Sequence, residues 1–164
     1  MSACGEFAAS HGVVVLGIGN VLLCDEGAGV HAVRRLSREI GELPGVTFID
    51  GGTLGMMLAS DLGDCDALVV IDAAETGQAP GSVVVFEAKG MDRFLGAGNM
   101  RSAHEIGLLD LMAAAALARG LPARRALIGI QAECVGWGLE PTEQAQAGIA
   151  TACERARELI ERWR

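Results

Sequence analysis

The chain has 164 residues and a formal net charge of −8; 51% of its residues are hydrophobic, but only 4% are aromatic. This length suits one domain with an aliphatic core, so we expect residues 1–164 to form a single domain in which residues 1–11 are a loose leader. The acidic balance argues against nucleic-acid binding, which needs basic side chains to neutralise phosphates. No run of ~18 apolar residues is present, so we expect no membrane insertion.

The cysteines are odd in number and form no C-x-x-C pair; they stand at positions 4, 24, 65, 134 and 153. This argues against a zinc ribbon or a disulfide scaffold and indicates reduced thiols. The N-terminus shows no basic segment followed by an apolar run, so we predict no secretory signal. We therefore expect a cytoplasmic protein, and we favour a monomer.

Strand-like and helix-like segments alternate along the chain. A short apolar run predicts a first strand at 13–16, and apolar residues spaced by three or four predict a helix that ends before Gly41. Later strands are predicted at 46–50, 68–72, 82–88 and 126–130, and later helices at 54–62, at 102–119 and from Pro141 onward. The glycine-rich segment 89–101 is expected to be a loop. The alternation predicts an α/β fold with about five strands in a mostly parallel central sheet and helices on both faces.

Two adjacent acids, Asp25 and Glu26, lie between the first strand and the first helix. Ligands of open α/β sheets bind outside the carboxyl ends of the strands. Acids at a helix start are also favoured by the free N–H groups and the helix dipole. One acid satisfies that structural role. We therefore assign support of the loop to Asp25 and leave Glu26 as either a capping residue or a functional ligand.

Two further candidates are expected at the same edge of the sheet. Asp72 ends the most apolar strand, either as a turn residue or as a functional carboxylate. His104 lies in the first turn of a helix for which Ser102 and Glu105 predict a capping box. A lone histidine is usually a surface or core residue, but the positive helix end favours the neutral imidazole that a metal needs. With Glu26, these residues form a donor set suited to a divalent metal.

The remaining patterns are weaker. Asp50, Gly51, Gly52 and Thr53 form a turn that either links strand to helix or lets a ligand or peptide approach the backbone. His11 lies in the leader, and His31 is expected on the exposed face of the first helix. Cys24 has no base and orienting partner at a spacing that would indicate a nucleophile.

A dinucleotide-binding module is one alternative function. Gly17 and Gly19 resemble the start of a dinucleotide fingerprint, and Asp50 stands where a ribose-binding acid would lie. However, Leu22 replaces the third glycine, and the acids at 25 and 26 would repel a pyrophosphate.

Four stretches, taken together, resemble the hydrogenase maturation endopeptidases, which trim the large subunit of nickel–iron hydrogenases. They are GIGNVLLCDEGAGVHAVRRL (17–36), IDGGTLGMML (49–58), VVIDAA (69–74) and SAHEIGLLDLM (102–112). Each is weak alone, but their order and spacing make the resemblance specific. Segment 128–142 is more similar to the group of the family that serves soluble, cytoplasmic hydrogenases than to the group that serves membrane-bound ones.

The resemblance implies a three-layer α/β sandwich and an endopeptidase that removes a C-terminal extension from the hydrogenase precursor after nickel insertion. It implies that Glu26, Asp72 and His104 bind a divalent metal and carry out catalysis. The first ligand position is Asp in some members and Glu here. The resemblance also implies that the turn formed by Asp50, Gly51, Gly52 and Thr53 recognises the substrate and its nickel.

On this basis we expect nickel-gated peptide hydrolysis, with the nickel supplied by a nickel-loaded large-subunit precursor. The three residues bind that nickel temporarily. This places the scissile peptide bond next to a metal-bound water, or lets the metal polarise its carbonyl group. A carboxylate acting directly as a general base is the other route. Whether the free enzyme keeps its own metal stays open. Competing functions are the dinucleotide-binding module, a general metallopeptidase and a non-catalytic nickel-centre chaperone.

Overall fold

The order of strands and helices follows the alternation expected from the sequence. A computed structural model describes residues 12–53, 62, 65–97, 104–118 and 120–164, without the side chains of 104–107 and 118. Its elements in chain order are β1 (Val13–Ile18), a 3-10 turn (Cys24–Gly27), α1 (Ala28–Ile40), β2 (Val46–Gly52), β3 (Ala67–Ala74), β4 (Val83–Glu87), α2 (Lys89–Gly96), α3 (His104–Ala118), β5 (Arg124–Gln131) and α4 (Glu143–Trp163).

The strands form one five-stranded sheet in the order β2-β1-β3-β5-β4. β1 pairs in parallel with β2 and β3, and β3 pairs in parallel with β5, whereas β4 is antiparallel to β5. The mostly parallel sheet is therefore confirmed. Because β2 and β3 lie on opposite sides of β1, the connections diverge there and leave a crevice at the carboxyl ends of β1 and β3.

Helices cover both faces of the sheet. Every residue of β1 is buried, and successive side chains point to opposite faces. Val13 and Val15 pack in a cluster with α1 and α4, while Val14 and Leu16 pack in a second cluster with α2 and α3. This arrangement is the three-layer α/β sandwich that was expected.

The prediction of a loop at 89–101 is wrong for its first part, because α2 spans Lys89–Gly96. Met91, Phe94 and Leu95 are spaced for one helix face, and all three are buried. The ring of Phe94 stacks on Phe86 with 4.1 Å between centroids. This buried face outweighs the helix-weakening glycines at the two ends of the segment. Residues 98–101 lie outside the described part of the chain.

Other predicted boundaries differ by one to a few residues. The predicted helix at 54–62 lies outside the described residues except for Leu62, as do the leader and the Ser102 cap. The last helix begins after Thr142, whose Oγ1 accepts a hydrogen bond from the N–H of Ala145 at 3.2 Å. In the described ranges, none of the helices has the length and apolar character needed to cross a membrane.

Candidate active site

Two glycines bring the β1–α1 connection onto the strand ends. A Cβ on Gly29 would overlap the carbonyl oxygens of Ile71 and Ile18, so α1 starts directly against β1 and β3. A Cβ on Gly19, which has a φ of 142°, would overlap the carbonyl oxygen of Glu26. That φ is open mainly to glycine. These contacts place the 3-10 turn over the crevice between β1 and β3.

Asp72 lies at the carboxyl end of β3 and is only 1% exposed. Residues two apart in a strand share a face, so Asp72 lies on the side of Leu68 and Val70, which is covered by α2 and α3. The residue paired with Asp72 on the neighbouring strand β5 is Gly129, which has no side chain. A carboxylate buried this deeply is costly unless its surroundings compensate. This burial favours a functional carboxylate over an ordinary turn residue.

Glu26 reaches the same edge from the 3-10 turn, which packs against β3. Its half-buried side chain lines a cavity of about 210 Å³ together with Ala73 and Ala74, the two residues that follow Asp72. Glu75 and Glu133 also line this cavity. The structure thus places Glu26 in one cavity with the two residues that follow Asp72, and two further acids line the same cavity.

His104 is the first residue of α3, and its side chain lies outside the described part of the chain. The 15 residues of α3 span about 22 Å. The helix leads into β5, which is parallel to β3, so α3 runs back from the carboxyl edge to the amino edge of the sheet. The topology therefore places the backbone of His104 at the edge that carries Asp72.

The expected metal ligands can be tested by donor chemistry. Among the described side chains, no three potential ligands form a group that could hold a metal ion. Glu26 and Asp72 are described, whereas the imidazole of His104 is not. Carboxylate oxygens are donors that divalent metals accept, so the two described residues of the expected set have suitable chemistry.

Asp25 has a different role from its neighbour. It is wholly buried and accepts four hydrogen bonds: from the N–H groups of Glu133 (2.8 Å), Cys134 (3.0 Å) and Thr142 (2.7 Å), and from the Thr142 hydroxyl (2.9 Å). Burial alone would raise the pKa of Asp25, but these donors outweigh it and hold the pKa below its ordinary value. Asp25 therefore ties the 3-10 turn to the segment after β5, in line with its predicted role.

Asp50 does not line the cavity of Glu26. Its Oδ2 accepts from Nε of Arg34 at 2.7 Å, and its Oδ1 accepts from the N–H of Gly52 at 3.1 Å. Asp50 and Arg34 line a separate cavity of about 540 Å³. The prediction of a turn at Gly51 and Gly52 is wrong, because β2 continues through Gly52 and only Thr53 is a turn residue. The end of β2 still meets the β1 loop, because the N–H of Gly19 donates to the carbonyl of Gly52 at 3.0 Å. The Asp50 side chain and Glu26 thus line different cavities.

His31 also lines the cavity of Asp50 and differs from expectation. It was expected on an exposed face, but it is half-buried, and its Nε2 makes no hydrogen bond within the described structure. Burial, followed by the charge of Arg34, lowers the pKa of His31. His31 was a weaker candidate than His104 from the sequence, and it lines the cavity of Asp50 but not that of Glu26.

Gln131 is a buried site residue that sequence reasoning missed. Its Oε1 accepts from the N–H and the hydroxyl of Thr76 at 2.7 and 3.0 Å, and its Nε2 donates to Glu75 at 3.3 Å. It thereby holds the loop after β3 beside the Glu26 cavity. A polar residue directly after an apolar strand was the available signal, as for Asp72.

The chain is similar to proteins of one family along most of its length. A family model described as hydrogenase maturation protease matches residues 30–159. The hydrogenase expression/formation protein HupD of Rhodobacter capsulatus is 40% identical over 150 residues, which make up 90% of this chain and 70% of that protein.

Solved structures extend the likeness to the fold. The hydrogenase maturating endopeptidase HybD of E. coli matches with a TM-score of 0.83 and 30% identity, covering 92% of this chain and 93% of that one. The [NiFe] hydrogenase maturation protease HybD of Thermococcus kodakarensis matches with a TM-score of 0.77 and 32% identity, covering 91% and 99%. The chain therefore belongs to the hydrogenase maturation protease family and is a peptidase.

Proposed function

We propose that this protein is a metal-dependent endopeptidase that removes the C-terminal extension of a nickel–iron hydrogenase large-subunit precursor after nickel insertion. The observation that carries this proposal is the cavity in which half-buried Glu26 lies with Ala73 and Ala74, the residues that directly follow the buried Asp72. Family membership supplies the reaction class, and the acidic crevice supplies a place where a peptide bearing a bound cation is attracted.

Glu26, Asp72 and His104 have the central roles in this proposal. They approach the nickel of the substrate as temporary ligands, which places the scissile bond at the crevice. A bound metal can act as a Lewis acid and lower the pKa of a bound water to roughly 7. Discrimination follows from the same contacts, because a nickel-free precursor offers these carboxylates no cation and gains little docking energy.

The end of β2 and the turn residue after it (Asp50, Gly51, Gly52 and Thr53), which we call the Asp50 turn, are assigned to recognition of the precursor. Asp50 is held by Arg34, and Thr53 is exposed. The hydrogen bond from Gly19 to Gly52 couples this turn to the loop that precedes Glu26. Substrate contacts at the turn are thereby connected to the catalytic edge.

We place this activity in the cytoplasm and assign it to a monomer. The described cysteines, Cys24, Cys65, Cys134 and Cys153, are all free thiols, as in proteins of reducing compartments.

The surroundings of Gly19 argue against the alternative function, a dinucleotide-binding module. The space that a pyrophosphate would need beside this glycine is taken by the protein's own Glu26 carbonyl.

The proposal is tested by mixing the enzyme with nickel-loaded and nickel-free precursor and following the mass of the large subunit. We expect loss of a short C-terminal peptide only from the loaded sample. Glu26→Gln, Asp72→Asn and His104→Ala should each abolish this loss. The matched control is Asp110→Asn, which alters an exposed carboxylate on α3 and should leave processing unchanged.

Each competing function gives a different result in this assay. Cleavage of unrelated peptides with zinc would indicate a general metallopeptidase. Binding of the loaded precursor without any change in its mass would indicate a chaperone. Normal processing by all three site variants would refute the assignment of the catalytic residues.

A further inference from the structure

Four large apolar side chains stand exposed next to the crevice: Leu22 (48% exposed), Val135 (60%), Trp137 (84%) and Leu139 (65%). We call them the Trp137 patch. Isolated exposed apolar residues are common, but these four lie on two segments joined by backbone hydrogen bonds, and such a group is typical of an interaction site. Trp is also the residue type most enriched among side chains that dominate binding energy.

The patch is held in place by backbone hydrogen bonds between its two segments. The N–H of Gly138 donates to the carbonyl of Leu22 at 3.0 Å, and the N–H of Cys24 donates to the carbonyl of Gly138 at 2.8 Å. Leu23 and Gly138 form a parallel bridge. Asp25 secures both segments from beneath through its bonds to Cys134 and Thr142. The patch is therefore built on ordered backbone.

The patch is continuous with the candidate active site. Val135 belongs to the patch and also lines the cavity of about 210 Å³ that contains Glu26. Leu22 precedes Glu26 by four residues on the other segment. A peptide that leaves the crevice can therefore pass onto the patch without crossing another surface.

The two segments that carry the patch contain acids and no bases. Segments 17–27 and 131–142 contain no Lys or Arg. Glu133 and Glu140 are exposed on the second segment, and Glu75 lines the cavity with Glu26. The complementary occupant is an extended peptide that combines apolar side chains with Lys or Arg.

We propose that the Trp137 patch docks the C-terminal extension of the precursor, as a peptide of apolar and cationic residues that leads away from the scissile bond. This inference rests on the proposed function, because it assumes that the scissile bond lies at Glu26. The patch then supplies affinity for the extension, whereas Glu26, Asp72 and His104 act at the bond itself.

The kinetic test uses nickel-loaded precursor and the variants Trp137→Ala and Leu139→Ala. We expect KM to rise about tenfold or more for Trp137→Ala, with kcat within about twofold of the wild type. Leu117→Ala is the matched control, since Leu117 is 90% exposed on α3 and lies outside the patch. An unchanged KM for both patch variants, with normal wild-type processing, would overturn the docking proposal alone.

A binding test does not depend on cleavage. The chain has two tryptophans, and Trp163 is buried, so Trp163→Phe leaves Trp137 as the only indole emitter. In that background, with Glu26→Gln added, a tryptophan-free synthetic peptide of the extension should shift the emission to the blue. The same peptide with its Lys and Arg replaced by Glu should bind at least about tenfold more weakly.

The two proposals can fail separately. A blue shift without any processing by the wild type would retain the docking site and refute the proposed protease activity. A shift with precursor that lacks the extension, but none with the extension peptide, would mean that the patch binds the body of the large subunit. That result would overturn the inference.

Discussion

Asp25 and Thr142 are joined twice, by a hydrogen bond from the main-chain N–H of Thr142 at 2.7 Å and by one from its hydroxyl at 2.9 Å. The same hydroxyl accepts from the N–H of Ala145 and so caps α4. One carboxylate therefore orients the start of α4 and fixes the turn that carries Glu26. The residue next to the candidate catalytic acid serves to position it.

We predict that Asp25→Asn lowers the free energy of unfolding by about 2–4 kcal/mol, because an amide cannot accept from all four donors and leaves buried groups unsatisfied. Thermal unfolding should show a fall in Tm of about 5–10 °C. Asp110→Asn, on an exposed position, should change Tm little. Equal Tm values for both variants would contradict a structural role for Asp25.

Stability should fall in acid partly through Asp25. Its pKa in the folded state lies below the ordinary value, so the unfolded chain binds the proton more tightly. The stabilisation is complete above the unfolded pKa of ~3.9 and is lost as pH falls through that value toward the folded pKa. Urea unfolding between pH 6 and pH 3 should show a smaller loss for Asp25→Asn than for the wild type. Parallel pH profiles would rule this contribution out.

A second carboxylate should add to the same acid dependence. A hydrogen bond from Arg125 lowers the pKa of Asp92, with Nη2 of Arg125 2.6 Å from Oδ2 of Asp92. Arg125→Gln should therefore flatten the profile further, over the same pH range, when combined with Asp25→Asn.

The close approach of α1 to the sheet predicts a sharp difference between two glycines. Gly29→Ala should destabilise the protein by several kcal/mol and reduce processing, because its Cβ would push α1 away from Ile71 and Ile18. Gly90→Ala is the control, since open space surrounds that position inside α2. It should raise the free energy of unfolding by about 0.5–1 kcal/mol. A Gly29→Ala protein with wild-type Tm and processing would show that this contact is not needed.

The ion pair between Arg34 and Asp50 predicts an effect on activity without a large effect on stability. Both side chains are partly exposed, and exposed pairs contribute little to folding. If the Asp50 turn recognises the precursor, Arg34→Gln should reduce processing several-fold with little change in Tm. Arg155→Gln, which breaks an exposed pair with Glu158 on α4, should affect neither quantity. Loss of processing by both variants would point to a general charge effect instead.

Local patterns were sufficient for most of the fold. The apolar runs around Val15 and Val70 indicate strands covered on both faces, and the alternation with helices indicates a mostly parallel sheet. Asp72 and Glu26 could be chosen as candidates because parallel strands end at one edge. The helix α2 was missed because its glycines dominate the local composition, whereas Phe94 gains its stabilisation by packing on Phe86.

The sequence by itself determined the class of fold, the family resemblance and the edge of the sheet at which chemistry is expected. Only the tertiary structure showed that Asp50 lines a separate cavity with Arg34. Only the tertiary structure showed that Gln131 is hydrogen-bonded to Glu75. It also supplied the partners of Asp25, which lie more than a hundred residues away at Glu133 and Thr142. Periodicity reports neighbours within a few residues, whereas hydrogen bonds across the sheet edge depend on how distant segments meet once the core has formed.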